Sequence, residues 1–250
     1  MALELTGTVH IAPSSDELYD DLANILLLRA SDAVKERGVF HLALSGGSTP
    51  EKFYVRLVID PRFRVFPWKQ CQIWIVDERR VSEDDDKSNF RMIRKTLLDH
   101  VPIRKRFIHA IPTLAEDPAG EYEQELRDVF VSPAGVPQLD FVLLGMGEDT
   151  HTASLFPRSP ALAVRNHLMA NNDGAFVTPP PRITMTFPLI NAAHEAAVLV
   201  TGAKKAATLR RVAAHLKVSG PAPHSMPITG VNPVNGQLTW FLDPDAAGTP

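Results

Sequence analysis

Cysteine is almost missing from this chain. Cys71 stands alone, so no intramolecular disulfide forms and a cysteine-rich metal site is excluded. No motif frames Cys71, which reads as a small apolar residue beside a strand rather than a nucleophile. Long apolar runs are missing too. Leu22 to Leu28 is largely apolar but far shorter than the about 20 residues that span a bilayer. The N-terminal residues lack the basic start and apolar core of a signal peptide, and a cytoplasmic location is expected. Neither sign of charge dominates: 26 basic against 29 acidic residues give a net charge of -3. That balance does not favour nucleic acid or an anionic membrane as partner. A small anion needs only a local cluster of donors, and that possibility stays open. Gly/Ser linkers, low-complexity tracts and internal repeats are missing as well. One domain over residues 1–250 is therefore expected, with an inserted lobe around residues 155–185.

What is present is a regular alternation of strand and helix patterns. Ser14 and Glu17 have capping-box spacing, the periodicity from Leu18 to Val34 is helical, and Gly38 can end that helix. Apolar runs predict strands at 39–44, 72–76, 107–111, 139–144, 167–170, 182–187, 196–201 and 238–242. Helices are predicted from Thr49 and Pro50 to about Ile59, from Ser88 to about His100, from Gly120 to Val131 and from Lys204 to Leu216. The alternation argues for an α/β fold with a mostly parallel sheet and helices on both faces.

The chemistry concentrates where strands end. Gly145 and Gly147 turn the backbone after the 139–144 strand, Asp149 follows, and His151 sits at the start of what reads as a short helix. An imidazole beside a carboxylate at the carboxyl edge of a sheet is placed to activate water. Gly145, Gly147 and Thr150 half match a dinucleotide fingerprint, but its third glycine is missing and no ribose-binding acid follows. The loop Gly46, Gly47, Ser48 and Thr49 joins a strand to a helix, offering unpaired N–H groups to an anion as readily as it makes a plain tight turn. It is not a Walker loop, because no Gly-Lys-Ser/Thr follows. Arg79 ends a strand, where a guanidinium grips phosphate or forms an exposed ion pair. Arg182 opens a strand. Lys205 lies at a helix start, where its charge opposes the dipole unless an anion is present. The acids from Glu83 to Asp86 lack EF-hand spacing and read as a solvated loop, so no metal is expected. The other histidines have no supporting motif and read as structural.

Six of these segments, in order, resemble the 6-phosphogluconolactonase family. They are Leu44 to Pro50, Asp77-Glu78-Arg79 with Ser88-Asn89, Gly145 to Pro157, Arg182 to Asn191, Thr201-Gly202 with Lys205-Ala206, and Leu238 to Asp243. The resemblance covers nearly the whole chain. It implies hydrolysis of 6-phosphoglucono-δ-lactone to 6-phosphogluconate in the oxidative pentose phosphate pathway, with no metal or organic cofactor. It also implies the three-layer α/β/α sugar-isomerase-like fold shared with glucosamine-6-phosphate deaminase and ribose-5-phosphate isomerase. His151 would act as general base with Asp149 orienting it. Gly46, Gly47, Ser48, Thr49, Arg79, Arg182 and Lys205 would hold the sugar phosphate, and a monomer is expected. Two departures stand out: Thr150 occupies a position usually held by glycine, and Ser82 one where proline is common. The related deaminases read Gly-His-Ile-Ala-Phe-Asn-Glu-Pro around their histidine. Phe156 falls at the place of that glutamate and carries no proton, which favours hydrolysis over isomerisation. A sugar-phosphate sensor without catalysis is the second alternative.

Overall fold

Why the sheet lies in the middle follows from its strands. Strands β2 (Phe40–Leu44) and β6 (Phe141–Leu144) are buried at every position. Successive side chains of a strand point to opposite faces, so both faces must be covered, and helices do the covering. The computed structural model describes residues 3–131 and 135–248.

Seven strands form one sheet. With β1 (Thr8–Ile11), β3 (Cys71–Ile75), β5 (Ile108–His109), β9 (Glu195–Val200) and β10 (Gln237–Leu242), the order is β1-β10-β9-β6-β2-β3-β5. Every pairing is parallel. The long helices are α1 (Ser15–Arg37), α2 (Ser48–Ile59), α3 (Asn89–Thr96), α4 (Pro118–Val129) and α6 (Ala206–Ser219); α5 (Phe187–Ile190) and α7 (Pro244–Ala247) are single turns. Ser14 caps α1 by accepting the Glu17 N–H at 3.2 Å, and Gly38 ends it at φ 76°, as the sequence requires.

The lobe expected around 155–185 is a second sheet of three antiparallel strands, β4 (Asp77–Arg79), β8 (Arg182–Met185) and β7 (Met169–Asn172), in the order β4-β8-β7. Its first strand lies outside the expected range. Asp77 to Arg79 read as the start of a polar loop, yet these three residues pair with β8. Three other expectations need correction. Strand β1 was not foreseen. The helix expected with Thr49 as its N-cap and Pro50 in its first turn begins two residues earlier, with Gly47 as its N-cap. The segment after His151 is not a helix but a tight turn closed by a bridge between Thr152 and Leu155.

Strand order also fixes where a ligand can sit. The chain leaves β2 for β3 on one side and leaves β6 for β9 on the other. Adjacent strands β2 and β6 thus send their following loops apart, opening a crevice beyond their carboxyl ends. Ser45, the first residue after β2, bridges that crevice floor by donating to the Leu143 carbonyl at 2.7 Å.

Candidate active site

A cavity of about 250 Å³ occupies this crevice. Four segments line it, each following one of four adjacent strands: Ser45 to Pro50 after β2, Asp77 and Arg79 of β4 after β3, residues between Gly145 and Ala153 after β6, and Thr201 with Lys205 after β9. Arg182 enters from the small sheet and Asn89 from the start of α3. The structure therefore brings together Gly46, Gly47, Ser48, Thr49, Arg79, His151, Arg182 and Lys205. Asp149 stands behind His151, with Oδ1 2.5 Å from the imidazole Nδ1.

The imidazole–carboxylate pair is set by backbone geometry. The Thr150 N–H donates to the Gly147 carbonyl at 3.0 Å, and the Gly147 N–H donates to the His151 carbonyl at 2.8 Å. This tight loop folds the pair onto Gly147. A Cβ there would lie 2.1 Å from His151 Nδ1 and 2.5 Å from Asp149 Oδ1, so only glycine leaves room. Thr150 adopts φ 73°, a left-handed conformation that costs a β-branched residue strain. Its hydroxyl is buried without a hydrogen-bond partner among the described residues. Farther along, the Glu148 carbonyl accepts from Thr208 Oγ1 and Arg211 of α6, tying the loop to that helix.

An ionised carboxylate only accepts hydrogen bonds, so the proton between Asp149 and His151 belongs to Nδ1, which leaves Nε2 as the free basic nitrogen. Burial pushes the Asp149 carboxyl upward, but the hydrogen bond and charge of His151 outweigh it, and the net effect is downward. Asp149 thus stays ionised.

The cationic side of the cavity is built from unfavourable neighbours. In the register of the small sheet, Arg79 lies directly opposite Arg182. Like charges facing each other across strands are destabilising. Burial and then the charge of Arg79 both lower the Arg182 pKa, against the opposing pull of Asp77 and Glu78. Among the described residues, Arg79 forms no ion pair, unlike its simpler reading. It donates to the Lys87 carbonyl at 2.5 Å, and its Nε is buried with no partner. Lys205 precedes the first turn of α6, and no ion pair neutralises it among the described residues. Three cations thus converge with the bare N-terminus of α2, an arrangement an anion would relieve.

Among the lining residues without a site role assigned from the sequence are Asp77 and Asn89. Asp77 is buried, and its Oδ2 accepts from Ser154 Oγ at 2.6 Å. Asn89 donates to the Asp77 carbonyl at 2.7 Å and leans on Gly46, where a Cβ would lie 1.9 Å from its Oδ1. Glu78 beneath them accepts from the backbone N–H groups of Arg79, Asn89 and Phe90 and from Ser88 Oγ. The acids near Lys87 behave as a solvated loop: Asp84 and Asp86 pair with Arg94 and Arg91. A larger groove of about 510 Å³ lies beside α4 and β7. Its Glu123 is occupied by Arg127 and by the Leu168 and Met169 N–H groups.

Fold and cavity together define an α/β protein whose topological switch point holds an imidazole–carboxylate pair beside three cationic side chains. Comparison with known proteins narrows this class. The sequence profile of the glucosamine-6-phosphate isomerases/6-phosphogluconolactonase family matches residues 13–240, and the chain belongs to that family. It is 41% identical over 244 residues to the 6-phosphogluconolactonase of Nostoc sp. (strain PCC 7120), covering 94% of this chain and 95% of that one. The Synechocystis sp. 6-phosphogluconolactonase is 42% identical over 224 residues, covering 87% and 88%. The crystal structure of the Thermotoga maritima 6-phosphogluconolactonase superposes with a TM-score of 0.77 at 26% identity, covering 94% and 99%. Among the described residues, no helix is long and apolar enough to cross a membrane.

Proposed function

We propose that the protein hydrolyses 6-phospho-D-glucono-1,5-lactone to 6-phosphogluconate, with His151 as general base. One observation carries the reading: an imidazole oriented by a carboxylate shares a small cavity with Arg79, Arg182 and Lys205. Full-length relatives about 40% identical carry the matching activity in their names.

The lactone carbonyl is already electrophilic, so the reaction needs no covalent nucleophile. His151 Nε2 takes a proton from water as the oxygen attacks C1. Such a base contributes about 10²–10⁴-fold. Charge moves to the carbonyl oxygen, where backbone N–H groups of the Gly46–Gly47 loop or the Arg79 guanidinium offset it. As the tetrahedral intermediate collapses, the bond from C1 to the ring oxygen breaks and the imidazolium returns its proton to that oxygen. Asp149 holds the tautomer and stabilises the transient cation. Arg182, Lys205 and the N-terminus of α2 bind the phosphate, so binding energy at one end of the substrate orients the other. All these groups come from one chain, and a monomer suffices.

The test is a coupled assay on freshly generated lactone. Decay should accelerate with protein after spontaneous hydrolysis is subtracted. Ammonia release from glucosamine 6-phosphate, or binding of 6-phosphogluconate with no rate above background, would contradict the proposal.

A further inference from the structure

Phe156 is buried, with 3% exposure, yet it lies outside the contiguous apolar core. Its ring is committed elsewhere. The His151 imidazole lies 4.7 Å from it, centroid to centroid, tilted by 35°. The Arg182 guanidinium lies over the same ring at 5.4 Å. Phe156 does not itself line the cavity. One hidden aromatic ring therefore touches both the proposed base and a proposed phosphate ligand, and burial in the core does not account for it.

We infer that Phe156 is a positioning residue that sets the spacing between the His151 imidazole and the Arg182 guanidinium without adding a countercharge. This rests on the proposed roles of those two residues. A ring face attracts both a guanidinium and an imidazolium. It therefore favours Arg182 in place and stabilises His151 most when the imidazole has taken up the water proton. A carboxylate at this position would hold the guanidinium more strongly, but it would compete with the substrate phosphate for it. An aliphatic side chain would fill the volume without attracting either cation. Arg182 has alternatives: it already donates to the Pro180 carbonyl at 3.0 Å and the Thr178 carbonyl at 3.1 Å. Without the ring, those carbonyls would draw it from the cavity.

The experiment measures kcat on the lactone and Kd for 6-phosphogluconate in Phe156→Leu, Phe156→Tyr, Arg182→Ala and the Phe156→Leu/Arg182→Ala double variant, each checked for folding by circular dichroism. Phe156→Leu should lower kcat and raise Kd by about threefold to thirtyfold, the range a cation–ring contact supports. Phe156→Tyr should stay within about twofold of the parent in both. In the Arg182→Ala background, Phe156→Leu should change Kd by less than about twofold, because contacting residues are not additive. Phe156→Met, unbranched and similar in size, carries the same test if the leucine variant does not fold. An unchanged kcat and Kd in Phe156→Leu would overturn the inference. So would a full additional loss of affinity on the Arg182→Ala background, or failure of tyrosine to restore function in a folded protein. His151→Ala, assayed in parallel, separates the two levels. Parent-like turnover there would remove the base assignment and the imidazole half of this inference. An inactive His151→Ala with a silent Phe156→Leu would overturn the inference alone.

Discussion

Thr150 and Gly147 set the geometry of the proposed base, and they do so at opposite cost. Glycine at 147 is required by the 2.1 Å approach a Cβ would make to His151. Threonine at 150 is tolerated at φ 73° with its hydroxyl unpaired. Thr150→Gly should therefore stabilise the protein by about 1–3 kcal/mol, read as an increase in unfolding free energy in urea. No gain would mean that the threonine is not strained. Gly147→Ala should leave a folded protein whose turnover falls by about 10²-fold, since an approximately 1 Å displacement of a catalytic group has that effect. Parent-like kcat would show that the loop adapts. At this scale the sequence was partly legible. Asp149, His151 and Thr150 stood out because they follow a strand and two glycines. Asp77 and Asn89 entered only through the family resemblance and without a role, because nothing in a linear pattern distinguishes a buried polar residue from an exposed one. Phe156 was informative only as the absence of a glutamate, since one of its two ring contacts comes from Arg182, 26 positions later in the chain.

Elements were legible where apolar periodicity was long. Strands β2, β3, β6, β9 and β10 and helices α1, α2 and α6 fall close to their expected places. Strand β1 was missed because its four residues are only partly buried and lack an apolar run. Strand β4 was missed because Asp77, Glu78 and Arg79 are charged, and strand formation there depends on β8, about a hundred residues away. A short helix was expected to start at His151, after the strand and its glycine turn, but positive φ at Thr150 and Ala153 breaks any helical run. Helix α6 supplies a prediction at this scale. Lys205 opposes the helix dipole at its N-terminus. Lys205→Ala should raise the unfolding free energy of the ligand-free protein by about 0.3–1 kcal/mol. The same change should reduce the Tm increase caused by 6-phosphogluconate. A lowered ligand-free stability together with an unchanged ligand response would remove Lys205 from the site.

The whole molecule places its chemistry by strand order, since the loops after β9, β6, β2 and β3 meet only because those strands are neighbours. Within the sheet, a buried stack on β2, β3 and β5 ties stability to pH. Trp74 lies flat on His109 at 3.8 Å and donates its indole N–H to His41 Nδ1 at 3.2 Å. That bond requires His41 to be neutral. Burial first, then the charges of His109 and Arg37, lower the His41 pKa from 6.5 to about 4. A histidine with a lowered folded pKa leaves stability untouched above its unfolded pKa. As the pH falls from about 6.5 to about 4, the unfolded chain binds a proton that the folded one refuses, and about 3 kcal/mol is lost. His41→Phe should remove this component, so its unfolding free energy should fall less than the parent's between pH 7 and pH 4. Equal losses would show that His41 does not carry the acid sensitivity.

The most direct measurement compares His151→Ala with the parent on fresh 6-phosphogluconolactone, alongside calorimetric titration of 6-phosphogluconate. Turnover above the spontaneous rate should fall by at least about 10²-fold, while product affinity should stay within about threefold, because the proposal assigns the phosphate to other side chains. Turnover equal to the parent's would contradict the account at its centre.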